Sequence, residues 1–98
     1  MTEMLDNKWS EWLDNNHEII AQIPEIPGVF MMHASMKILL IGGSNNIKKS
    51  ISEALEKKCA SQATRLRFRA EENFEKIKEE LIADFKKRHE GNIPQCMN

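Results

Sequence analysis

The chain has 98 residues, 41% of them hydrophobic and 30% charged, with a formal net charge of −1. This composition excludes a disordered chain, and the near-neutral charge argues neither for nor against nucleic acid, so only a local basic patch could do so. No apolar run approaches the roughly 20 residues of a membrane helix, and the polar N-terminus MTEMLDNKW has no signal-peptide h-region.

One domain is expected over residues 1–98, with an N-terminal helix over 1–22 and a core over 23–98. Leu5, Trp9, Leu13, Ile20 and Ile23 fall near one stripe, with Trp12 beside it, which predicts a helix over 2–22. Trp9 and Trp12 are expected to pack that helix on the core or to offer an apolar patch to a partner or a second copy. Pro24 and Pro27 end the element. Val29 to His33 and Lys37 to Ile41 read as two strands of an antiparallel hairpin, the second an unbroken apolar run broken by Gly42-Gly43.

Ser44 or Asn45 can cap a helix in which Ile47, Ile51, Leu55 and Cys59 recur every four residues. Thr64 to Ala70 alternates strictly, with Leu66, Phe68 and Ala70 on one face and Arg65, Arg67 and Arg69 on the other, the pattern of a third strand. Glu71 to Glu90 carries an apolar stripe of Phe74, Ile77, Leu81 and Phe85, with acidic residues at its start and Lys86, Lys87 and Arg88 at its end, matching a helix dipole. Gly91 stops it, and the tail NIPQCMN is expected to be extended. The predicted order is α-β-β-α-β-α: an α+β fold with a three-stranded antiparallel sheet flanked by helices. Cys59 is expected in the core. With Cys96 it forms no C-x-x-C, and both are expected as reduced thiols of a cytoplasmic protein.

Ile23 to Phe30 reads IPEIPGVF, Leu40-Ile41-Gly42 reads LIG, and Asn46-Ile47, Leu81-Ile82 and the tail from Pro94 to Asn98 follow at suitable distances. In order and spacing these segments resemble the GIY-YIG nuclease superfamily over about residues 23 to 98. The resemblance implies a core of hairpin, helix, strand and helix, and nucleic acid as the natural partner. It also implies where the chemistry should lie, and there the chain departs. The first tyrosine, which helps activate the attacking water, is Phe30; the second is Leu40. The core-helix arginine that balances phosphate charge is Ser50, and the metal-holding glutamate is Lys78. Asn98 is a candidate for the terminal asparagine, and a slip of one residue in the last helix would put Glu79 in the metal position. Phosphodiester cleavage needs an activated water, a cation and charge stabilisation. The resemblance therefore implies fold and ancestry better than activity.

Outside the resemblance, Arg65, Arg67 and Arg69 repeat roughly every 6.6 Å, close to the phosphate spacing along one strand, and could contact nucleic acid. A solvated face paired with nearby acids is the plainer reading. The turn IGGSNNIKK with Lys48 and Lys49 could hold an anion, although it lacks P-loop spacing and a plain strand-to-helix turn explains it. His89, Glu90 and Cys96 match no standard metal site, and His17 and His33 are singletons, so no metal site is expected. The expected role is a non-catalytic GIY-YIG-like module that binds nucleic acid or a protein, with no cofactor. The alternatives are a Mg²⁺- or Mn²⁺-dependent endonuclease using Glu79 or Glu75 with His33 and Asn98, or an interaction module or homodimer working through the N-terminal helix.

Overall fold

The computed structural model describes residues 9–35 and 37–97. Along the chain run β1 (Leu13–Asp14), α1 (His17–Ala21), β2 (Gly28–Ala34), β3 (Lys37–Ser44), α2 (Ile47–Leu55), β4 (Arg65–Ala70) and α3 (Phe74–Arg88), with 3₁₀ turns at Ala60–Gln62 and Gln95–Met97. The strands form one antiparallel sheet in the order β1-β4-β2-β3. The expected α+β architecture is present, but the described sheet has four strands where three were expected.

The extra strand comes from the segment expected to be helical. Within the described part of 2–22, Ser10 N–H donates to the Phe68 carbonyl at 2.8 Å and Asn15 N–H to the Thr64 carbonyl at 3.0 Å, laying the segment along β4. Leu13 opposite Leu66 then packs on the core. The helix is confined to five residues, because Asn16 is its cap, its side chain accepting from Ile19 N–H. Asn15 donates through Nδ2 to the Ala63 carbonyl at 2.7 Å, fixing the entry to that turn. Two adjacent Asn residues thus override the periodicity upstream, since such side chains bond the backbone readily outside helices. The expected Leu5 contact lies outside the described residues.

The central strand is β2. Phe30, Met32 and Leu66 share one sheet face and pack with Ile47, Ile51 and Ala54 of α2 and with Ile23. A register shift between Met32 and His33 makes Leu39 an extra residue in β3, and Leu39 and Leu40 both join this cluster. The other face buries Val29 and Ile41. There α3 starts beside Gly43, where a side-chain carbon would meet the Phe74 carbonyl at 3.0 Å and the Lys78 Cβ at 3.3 Å. β3 continues through Gly42 and Gly43 to Ser44, past its expected end, and Asn46 caps α2 in place of Ser44 or Asn45, accepting from Lys49 N–H. α2 stops at Leu55, short of Cys59, and α3 begins at Phe74, later than Glu71. Gly91, with φ 89°, turns the chain out of α3.

Beyond that turn the tail closes back on the sheet. Pro94 is fully buried, and Cys96 is joined to Cys59 by a disulfide with Cα atoms 5.6 Å apart. This corrects the expectation of two reduced thiols and of an extended tail. The bond spans 37 positions and joins the end of the α2 region to the far end of the chain, a proximity that spacing alone does not reveal. Disulfides persist in oxidising surroundings, so thiol usage no longer supports a cytoplasmic location. Among the described residues no helix is long and apolar enough to cross a membrane.

Two outcomes follow for stability. Replacing both cysteines by serine, or adding dithiothreitol, is expected to lower the unfolding free energy by about 3–4 kcal/mol, the loop-closure value for a bridge of this span; denaturant titration with and without reductant measures it. Gly28→Ala is expected to cost about 2 kcal/mol or more, because the added carbon would lie 2.3 Å from the Arg69 carbonyl oxygen of the neighbouring strand. A thermal melt of that variant is the check.

Candidate functional site

The positions to which the family resemblance assigns chemistry lie around the β2–β3 hairpin. Phe30 stands opposite Gly42 and Phe68 in the sheet and is 4% exposed. Its ring lies directly over Gly42: a side-chain carbon there would come within 2.3 Å of the ring's Cζ. The glycine of the LIG segment is therefore the floor on which the aromatic ring rests. Leu40, opposite Met32, is on the same face and packs against the same apolar cluster. Ser50 is half-buried in α2, its N–H donating to the Asn46 carbonyl at 3.1 Å. Lys78 is on the opposite sheet face, its aliphatic stem against Gly43. The hydrophobic core thus takes in Phe30 and borders Leu40.

A divalent cation, which the resemblance implies, does not fit these residues. Lys78 stands at the position that the resemblance gives to the metal-holding glutamate, and an ammonium repels a dication. Glu75 and Glu79 are both exposed on α3. His33 lies toward the opposite end of β2, under the Trp12 ring with centroids 4.9 Å apart, and its Nδ1 is buried without a hydrogen-bond partner among the described residues. Asn98 lies outside the described residues. No group of three or more His, Cys, Asp or Glu side chains suited to a metal occurs among the described residues, the trio His89, Glu90 and Cys96 included.

The three arginines of β4 do share one face, and each meets groups of its own chain. Arg67 is held between two indoles, its guanidinium carbon 4.7 Å from the Trp9 ring centre and 4.6 Å from that of Trp12. A planar, weakly hydrated guanidinium suits such a sandwich, and each contact is worth about 0.5–2 kcal/mol. Arg69 is half-buried in an ion pair with Glu71 and lies 5.9 Å from Trp9. Arg65 stays exposed, with Asp14 3.7 Å away, and a pair so open to water is weak. The tryptophans therefore do not mark the face of a long helix. They are the lid of the arginine face, brought there because the N-terminal segment runs as a strand beside β4.

Lys48 and Lys49 stand in the first turn of α2. The backbone donors of that turn are largely occupied: Asn46 N–H donates to Ser44 Oγ at 2.9 Å, Lys49 N–H to Asn46 Oδ1 at 3.1 Å and Ile47 N–H to the Ile26 carbonyl at 2.9 Å. The turn is thus built as a strand-to-helix junction, and what it offers a ligand is the lysine side chains. Reading the sequence missed the tryptophan sandwich. Its signal was present, two aromatics and an alternating arginine strand, but the helical period of the first segment obscured it.

No family model matches this chain, and no curated protein does. Among solved structures, the N-terminal GIY-YIG endonuclease domain of UvrC from Thermotoga maritima, a tyrosine-to-phenylalanine point mutant bound to the catalytic divalent cation, superposes with a TM-score of 0.58. The match covers 81% of this chain and 90% of that one at 21% sequence identity. With the hairpin, α2, β4 and α3 in the order the IPEIPGVF and LIG segments imply, the chain has a GIY-YIG-like fold.

Proposed function

We propose that this protein is a nuclease-fold module that binds nucleic acid without cutting it. The observation that carries the second half is the buried Phe30 ring resting on Gly42. A phenyl group cannot take or give a proton, and its neighbour Leu40 is equally inert. The likeness of the fold to an endonuclease domain supports the first half. Contacts to phosphate fall to the groups left accessible, namely Lys48 and Lys49 at the start of α2, with the exposed Arg65. Arg67 and Arg69, engaged by Trp9, Trp12 and Glu71, serve mainly to hold the N-terminal segment to the sheet. Trp9 and Trp12, on which the interaction-module reading relied, are engaged by Arg67 of the same chain.

Binding is tested by titrating labelled single- and double-stranded probes at several salt concentrations. Affinity is expected to fall with salt, and the double variant Lys48→Ala/Lys49→Ala to lower the slope of log K against log salt by about 2. Arg67→Ala is expected to leave that slope unchanged while lowering stability by about 1–2 kcal/mol. If neither probe is retained even at low salt, the binding proposal fails. Plasmid incubated overnight with Mg²⁺ or Mn²⁺ is expected to remain supercoiled. Nicking that disappears with Glu79→Ala would instead establish the endonuclease alternative.

A further inference from the structure

A notch of about 560 Å³ opens where the end of α3, the start of β3 and the C-terminal tail meet. It lies at the hairpin end of β3, while Phe30, Gly42 and the first turn of α2 lie toward the other end. Its size is within the range of small-ligand sites.

Three features of the notch point to one kind of ligand. The first is a flat platform. Phe85 and His89, one helical turn apart, stack with ring centres 3.8 Å apart and planes within 12°. His89 is further fixed by its Nδ1–H donating to the Phe85 carbonyl at 2.8 Å. The second is a set of uncommitted polar groups. Lys37, Asn92 and Gln95 line the notch, are exposed, and form no side-chain hydrogen bond or ion pair among the described residues. The third is a fixed wall. Asn92 and Gln95 belong to the tail anchored by the buried Pro94 and by the Cys59–Cys96 bond. Ile38 and Ile93 supply the apolar lining between them.

Resting on the nucleic-acid-binding reading above, we propose that this notch takes one unpaired nucleobase of a nucleic-acid strand. The base stacks on His89, backed by Phe85. The amides of Asn92 and Gln95, each with a donor and an acceptor, meet the base edge, and the Lys37 ammonium meets the adjoining phosphate. Stacking on an aromatic ring with amide readout of an exposed edge is how unpaired bases are held, and a paired base presents neither its face nor that edge. An acidic peptide would use Lys37 but would leave the stacked rings and both amides without a role. The site is separate from Lys48 and Lys49, so it can stand or fall apart from the role assigned to them.

The test uses the full, oxidised chain, a short single-stranded oligonucleotide and a nucleoside 5′-monophosphate, followed by backbone amide shifts and by anisotropy. Shifts are expected at His89, Asn92 and Gln95. His89→Ala is expected to weaken the oligonucleotide about 5- to 150-fold, the range for loss of one stacked base. Because His89 is exposed, its loss is expected to leave the fold intact; an unchanged melting curve confirms this. Dithiothreitol, which converts the disulfide to two thiols and is itself oxidised to its cyclic form, is expected to weaken binding by freeing the wall. Shifts confined to Lys48 and Lys49, with affinity indifferent to His89→Ala, would overturn the notch while keeping nucleic-acid binding. An absence of shifts with either probe would overturn both.

Discussion

Strand β2 is hydrogen-bonded along both edges and covered on both faces, and the rest of the molecule is arranged to meet those demands. Its register with β3 and β4 leaves room for no side chain at Gly28, where the Arg69 carbonyl is in the way, or at Gly42, where the Phe30 ring lies. A central strand of this kind needs helices on each side. α2 covers the face of Phe30 and Met32, and α3 covers that of Val29 and Ile41. The outer strand β1 and the disulfide-held tail then complete the two flanks, which a domain this small cannot leave open without losing much of its stability.

The same arrangement governs the positions to which the family resemblance assigns chemistry. Phe30 is buried in the cluster that supports the sheet, and Leu40 packs against it, so both gain from burial. Ser50 is half-buried in α2, and the Lys78 stem packs beside Gly43.

The arginine strand shows what a charge pattern read in one dimension leaves out. Alternation correctly put Arg65, Arg67 and Arg69 on one face, and spacing matched phosphates. In three dimensions the middle arginine is a structural cation held between two indoles, and its neighbour is tied to Glu71. Cation–π contact and a half-buried ion pair are stronger uses of a guanidinium than an exposed one, because less water competes for it.

By itself the sequence determined what depends on near neighbours. The alternation of Thr64 to Ala70, the hairpin around His33 to Lys37, the amphipathic stripe from Phe74 to Phe85 and the order of the IPEIPGVF and LIG segments specify local structure and the likeness to the nuclease fold, since periodicity and turn chemistry act over a few residues. Only the tertiary structure decided the strand at Leu13–Asp14, the Trp9–Arg67–Trp12 sandwich, the Cys59–Cys96 bond and the notch between α3 and the tail. Each joins residues tens of positions apart, and no local preference encodes such a meeting.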